Sequence, residues 1–79
     1  MSTNWKDYNA ECAVRWAHAP DRSEGYAKMV GHISAIMCSE HLTNKEKVDR
    51  TKHLIGCYFQ AQVLPEAEAR ATLVMKGGR

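Results

Sequence analysis

Residues 21–65 read DRSEGYAKMVGHISAIMCSEHLTNKEKVDRTKHLIGCYFQAQVLP and contain two apolar patterns with helical spacing. Each pattern follows a capping signal, because a carboxylate or hydroxyl at the cap accepts the free backbone amides of a first helical turn. The signals are Asp21 with Glu24 and Thr43 with Glu46. We therefore predict two helices, at approximately 22–41 and 44–63, that form a central antiparallel hairpin.

Both helices of the predicted hairpin carry an apolar stripe that can face a protein interior. The stripes comprise Tyr26, Met29, Val30, Ile33, Ile36 and Met37 on the first helix and Val48, Thr51, Ile55, Tyr58, Phe59 and Gln62 on the second. The first helix also carries Ala27, Gly31 and Ala35 at intervals of four, which makes a smooth groove for another helix. We interpret this groove as a contact inside the monomer, and a homodimer contact is the alternative.

A helix is also predicted before the hairpin, at approximately 4–19, and it ends at Pro20 because proline cannot donate in a helix interior. Ser2 or Thr3 is expected to cap this helix. Its narrow apolar face comprises Trp5, Tyr8, Cys12, Trp16 and Ala19. We interpret this aromatic face as the side that packs on the rest of the domain.

A last, alanine-rich helix is predicted at approximately 66–76, after Pro65, and a mobile tail is expected at 77–79. No segment shows the alternating β-branched pattern of a strand. The sequence therefore predicts one all-α domain over 1–79, a small three- or four-helix bundle.

Composition excludes few classes of function. The 79 residues are 44% hydrophobic and 25% charged, and the formal net charge of +2 is too small to indicate a polyanionic partner by itself. No apolar run approaches the ~20 residues that cross a bilayer, so we expect a cytoplasmic protein without membrane association. Cys12, Cys38 and Cys57 are odd in number and lie in predicted helices, which indicates free thiols in a reducing compartment.

A catalytic function finds little support in the sequence. It contains no glycine-rich phosphate loop, no nucleophile motif and no pair of carboxylates against an apolar wall. We therefore predict a protein that is not an enzyme, with no catalytic residues and no cofactor.

A metal site is an alternative, because Cys38, His41, His53 and Cys57 have spacings that resemble those of a zinc finger. Antiparallel pairing of the two central helices would place Cys38 about 7 Å along the helix axis from His53, and farther from Cys57. Four donors cannot share one tetrahedral ion at that separation. We therefore predict no metal and keep these four residues as the zinc-stapled alternative.

A phosphate-binding surface is a second alternative, because the third predicted helix begins with Lys45, Lys47, Arg50 and Lys52. Arranged as a helix-turn-helix, this basic segment would meet nucleic-acid phosphates. Acidic residues interrupt it, and a charged helix start is usually a solvated face. A helical nucleic-acid-binding protein therefore stays the alternative function.

Elimination favours a non-catalytic protein-binding module, a small regulator or inhibitor that occupies a surface of a larger protein or complex. Small inhibitors encoded by viruses or mobile elements are similar in size and composition, and self-association is a further hypothesis for so small a chain. Aromatic residues contribute most to protein interfaces. The candidate anchors are Trp5, Trp16, Tyr26 and Tyr58, with Trp5 as the first choice because it lies at a helix start.

Overall fold

The computed structural model describes residues 4–75, which form four α-helices and one π-helix. The elements are α1 (Trp5–Ala17), α2 (Arg22–Met37), α3 (Asn44–Gln62) and α4 (Glu66–Ala69), and α4 continues directly as a π-helix (Arg70–Met75). No strand occurs in this part of the chain, so the predicted all-α fold is confirmed. The expected caps Ser2 and Thr3 and the predicted tail 77–79 lie outside the described residues.

The helix starts follow the capping chemistry. Asp21 accepts the amides of Ser23 at 2.9 Å and Glu24 at 3.3 Å. Thr43 and Glu46 form the complete reciprocal capping box, with distances of 3.1 Å from the Glu46 amide to Thr43 Oγ1 and 2.8 Å from the Thr43 amide to Glu46 Oε1. Both predicted caps of the hairpin are confirmed.

The first helix is capped by Asn4, whose side chain accepts the Lys6 amide at 2.9 Å. The expected cap at Ser2 or Thr3 is therefore wrong, because asparagine one residue later supplies the same acceptor.

The predicted helix ends extend too far. α1 ends at Ala17, and α2 ends at Met37, four residues before the predicted end. The Cys38 amide donates to the carbonyls of Ser34 and Ile36, which closes the last turn of α2. The last helix is continuous over the described residues from Glu66 to Met75, as predicted, but it is α-helical only to Ala69 and π-helical beyond it.

The interior forms around α1, which packs most extensively on α3, then on α2 and on the π-helix. The direct contact between α2 and α3 is smaller. These two helices are antiparallel, since Tyr26 near the start of α2 lies beside Tyr58 near the end of α3, and Met37 at the end of α2 lies beside Thr51.

The buried face of α1 is lined by small side chains. They are Ala10, Ala13, Val14 and Ala17. Such side chains let α3 approach closely and pack its fully buried Leu54 against α1. The predicted aromatic face of α1 is therefore wrong as the core face: of its residues only Cys12 is buried, whereas Tyr8 is 54% exposed. α1 therefore has two neighbouring apolar faces, one of aromatic and one of small side chains. The rest of the domain packs on the face of small side chains.

The close approach of α1 and α2 uses Gly25. A Cβ atom at this position would overlap the Trp16 carbonyl oxygen. The predicted groove of Ala27, Gly31 and Ala35 is exposed, and no atom outside the helix backbone lies within 4 Å of a Cβ built at Gly31. The interpretation of this groove as an intramolecular contact is therefore wrong, because α2 turns its neighbouring face to α1.

Among residues 4–75, no helix combines the length and apolar character that a membrane crossing requires.

Candidate functional site

A buried polar contact joins the three long helices. Asn9 of α1 is 3% exposed, and its Nδ2 donates to the Arg50 carbonyl of α3 at 3.2 Å. Its Oδ1 lies 3.2 Å from His32 Nε2 of α2. The His32 ring lies between the rings of Tyr8 and Trp16, at 5.7 Å and 5.6 Å, and its burial lowers the pKa of His32. This network satisfies every buried donor and acceptor it contains, so its role is to fix the helix arrangement.

Trp5 lies across the side of α3 and outside the hydrophobic core cluster. Its indole meets the edge of the His53 ring at a centroid distance of 5.3 Å and an interplanar angle of 76°. The Arg50 guanidinium lies 5.0 Å from the indole centroid, and the Lys6 ammonium lies 5.8 Å from it. Trp5 is therefore held by polar and cationic neighbours, and these contacts fix the orientation of its ring.

A cavity of about 350 Å³ lies beside this indole, and we call it the Trp5 pocket. It is lined by Trp5, Lys6, Asp49, Lys52 and His53. Burial and the Lys6 ammonium lower the pKa of His53, against a smaller opposing effect of Asp7. A neutral imidazole and two flanking ammonium groups therefore face the pocket.

The structure brings two separate predictions together here. Trp5 was the first-choice anchor for a protein partner, whereas Arg50 and Lys52 were candidates for phosphate contact, and all three lie at one site. Lys45 forms an ion pair with Asp49 at 3.0 Å, and Lys47 is half-buried and does not line the pocket. Sequence spacing missed this grouping because Trp5 lies 48 residues before His53 and comes from another helix.

The other predicted aromatic anchors have different environments. Trp16 is partly buried and packs against the core cluster. Tyr58 is 3% exposed and belongs to the core, so it offers no free edge to a partner. Tyr26 is 53% exposed, with its ring centroid 6.4 Å from that of Tyr58. The prediction of Tyr58 as a partner anchor is therefore wrong, because its position on α3 faces the core cluster.

A second surface consists of exposed apolar side chains on neighbouring sides of α2 and α3, and we call it the α2–α3 apolar face. Its members are Tyr26, Val30 and Met37 on α2 and Val48 and Phe59 on α3. Partly buried Ile33 and Ile55 fall between them at helical spacing. Phe59 is 55% exposed, and its ring meets Tyr58 at 5.5 Å, which connects it to Tyr26.

The zinc alternative does not find its ligands assembled. Cys38 and His41 are exposed at the end of α2 and in the connection, whereas Cys57 lies on α3 with its Sγ 3.8 Å from His53 Nε2. Within the described range, no group of three or more His, Cys, Asp or Glu side chains is arranged to hold a metal.

The Cys57 and His53 pair does not have the environment of an activated nucleophile either. Burial raises the pKa of the Cys57 thiol. A cysteine nucleophile requires the opposite shift, because the thiolate is the reactive form.

The chain was compared with protein-family models, with curated proteins and with solved structures, and none of these comparisons finds a match. A functional assignment therefore rests on the side chains and surfaces described above.

Proposed function

We propose that this protein is a non-catalytic protein-binding module whose α2–α3 apolar face binds an amphipathic helix of a larger protein. The observation that carries the proposal is the position of the exposed large apolar side chains. Of the seven in the described chain, five belong to this one face, and Val63 follows at the end of α3. Contiguous exposed apolar surface on a small protein is typical of an interaction site.

The shape of the face favours a helical partner. α2 and α3 are antiparallel and make little direct contact, so their apolar stripes run side by side in opposite directions. Each stripe repeats at intervals of three and four residues, as in Tyr26, Val30, Ile33 and Met37. A helix that places residues i, i+3, i+4 and i+7 along these two stripes matches this periodicity.

The charged residues of α2 and α3 indicate which charge the partner helix carries. α2 contains no carboxylate from Tyr26 to Met37, and α3 contains none from Arg50 to Gln62. The charged side chains of these two segments, histidine aside, are Lys28 of α2 and Arg50 and Lys52 of α3, and the last two lie at the Trp5 pocket. The partner helix is therefore expected to carry carboxylates beside its apolar stripe, since complementary charge steers and orients binding.

Phe59 is the expected anchor of the interface, in place of Trp5, which the sequence favoured. Its ring is more than half exposed and is supported from below by buried Tyr58. An aromatic ring that is already held by a rigid neighbour loses little conformational entropy on binding.

The test is selection from a displayed library of helical peptides of about 20 residues, with a fixed apolar stripe and flanks that are either acidic or basic. Acidic-flanked peptides should be enriched, and Phe59→Ala should weaken their binding about tenfold or more. The matched control is Tyr8→Ala, because Tyr8 is equally exposed but lies on α1. Enrichment of basic flanks, or equal losses from both variants, would contradict the proposal.

A second copy of the chain is the competing occupant. Sedimentation of the protein alone should give a monomer. A dimer that Phe59→Ala dissociates and Tyr8→Ala does not would assign the face to self-association instead.

A further inference from the structure

We infer that the Trp5 pocket binds a nucleotide unit, with the base stacked on the indole of Trp5 and the phosphate held by Lys6 and Lys52. This site contains none of the side chains of the α2–α3 apolar face, and the inference does not depend on the proposed partner of that face. The shared chemistry is a planar base joined to a phosphate, as in a free nucleotide or in a single strand of RNA or DNA.

The first support is the way in which Trp5 is held. Its indole does not pack into the core cluster, yet three neighbours fix it: His53 at its edge, Arg50 at 5.0 Å and Lys6 at 5.8 Å from the centroid. Trp5 is partly exposed, and the part of its indole that lines the pocket is a pre-oriented platform for stacking. Base stacking on aromatic side chains beside cations is the common mode of binding to single-stranded nucleic acid.

The second support is the distribution of charge. Lys6 and Lys52 line the pocket and Arg50 lies over the indole, against the carboxylates of Asp49 in the lining and of Asp7 near His53. Asp49 is already engaged by Lys45 at 3.0 Å. With Lys45 counted beside its partner Asp49, four positive and two negative side chains lie at or next to the site, and this local excess provides an anion-binding field.

The third support is the size of the cavity. A volume of about 350 Å³ lies at the lower end of the range for small-molecule sites and suits one nucleotide. It does not suit a duplex, whose bases are stacked on each other and present no free face to the indole. An acidic peptide without an aromatic group would satisfy the lysines but leave the Trp5 platform unused.

The indole Nε1–H signals of Trp5 and Trp16 in a ¹⁵N-correlated NMR spectrum provide a direct readout with an internal control. Titration with AMP should move the Trp5 signal and leave that of Trp16, which packs against the core, in place. Inorganic phosphate should compete with AMP while causing a smaller shift, because it lacks a base. Trp5→Phe assigns the signal and, since it retains an aromatic ring, should preserve binding.

Variants test the stacking platform and the phosphate contact separately, with a single-stranded oligoadenylate of about 12 nucleotides as the ligand. Trp5→Ala should weaken binding at least about fivefold, and Lys6→Ala should lower the slope of log affinity against log salt by about 0.7. Lys28→Ala is the matched control, because it removes the same charge from α2, outside the pocket. It should change the affinity less than about twofold, and thermal melts check that each variant is folded.

The affinities for AMP and for the oligoadenylate distinguish a free nucleotide from a single strand as the ligand. Binding of the oligomer about tenfold or more tighter than AMP indicates a single strand, and similar affinities indicate a free nucleotide; both support the inference. The inference is overturned by the absence of a saturable Trp5 shift, or by equal effects of Lys6→Ala and Lys28→Ala. Tighter binding of a duplex or a phosphotyrosine peptide than of either nucleotide probe would also overturn it.

Discussion

Replacement of Gly25 by alanine tests the packing of α1 against α2 most directly. Gly25 is buried in the first turn of α2, and an added Cβ would overlap the Trp16 carbonyl oxygen and lie 3.1 Å from Ala19 Cβ. The obstructing atom is backbone, so no rotamer change relieves the overlap, and the two helices have to separate. Gly25→Ala is therefore expected to destabilise the fold although alanine is the better helix former.

The size of the effect follows from two opposing contributions. Overpacking of a close contact costs about 1–3 kcal/mol, and a backbone obstruction belongs near the upper end of that range. The higher helix propensity of alanine offsets about 0.5–1 kcal/mol of this cost. We expect a net loss of about 2 kcal/mol in the free energy of unfolding, which lowers Tm by about 8–16 °C for a domain of this size.

Two glycines provide matched controls. Gly31 in α2 and Gly56 in α3 are exposed, and a Cβ at either position meets no atom within 4 Å outside the neighbouring backbone. Gly31→Ala and Gly56→Ala should each stabilise the fold by about 0.5–1 kcal/mol. Urea unfolding followed by circular dichroism compares the three variants, and equal stabilisation by Gly25→Ala would refute the close approach of α1 and α2.

Two further predictions concern pH and capping. Because burial lowers the native pKa of His32, the unfolded chain binds more protons as pH falls through about 6.5, so the free energy of unfolding should decrease between about pH 7 and 5.5. His32→Gln, which keeps a donor for Asn9, should reduce this dependence in urea titrations, whereas His41→Gln in the exposed connection should leave it unchanged. Thr43→Ala should cost about 1 kcal/mol in the same assay and Thr43→Ser much less, since serine retains the capping hydroxyl. Equal losses from both substitutions would show that the hydroxyl does not stabilise α3.

Local chemistry allowed the helix starts to be predicted. Asp21 and Thr43 cap the helices that follow them because a side-chain acceptor two or three residues before a free amide acts within one turn of chain. Helix ends were less accessible, since α2 stops at Met37 without a glycine or proline to mark the end. Neither a proline nor a glycine marks the change from α- to π-helix at Arg70.

The two candidate surfaces were predictable to different degrees. The residues of the α2–α3 apolar face were recognised as apolar stripes, but periodicity assigned them to the interior. Of the residues that line the Trp5 pocket, Trp5, Lys52 and His53 were named from the sequence under three unrelated hypotheses, and Lys6 and Asp49 were not named. Only the packing of α1 beside α3 places Trp5 over Arg50 and His53.

The sequence by itself determined the all-α class, the number of long helices and the caps of α2 and α3, because these depend on hydrogen bonds and periodicity within a few residues. Tertiary structure decided which side of each helix is buried. α1 and α2 each have two adjacent apolar faces, and contacts with distant segments decide which face is buried. Leu54 of α3 packs on the alanine face of α1. On α2, the side that contains Gly25 packs closely on α1, and Ala27, Gly31 and Ala35 stay exposed. A single helical pattern does not contain that information, since a close approach depends on the shapes of both partners.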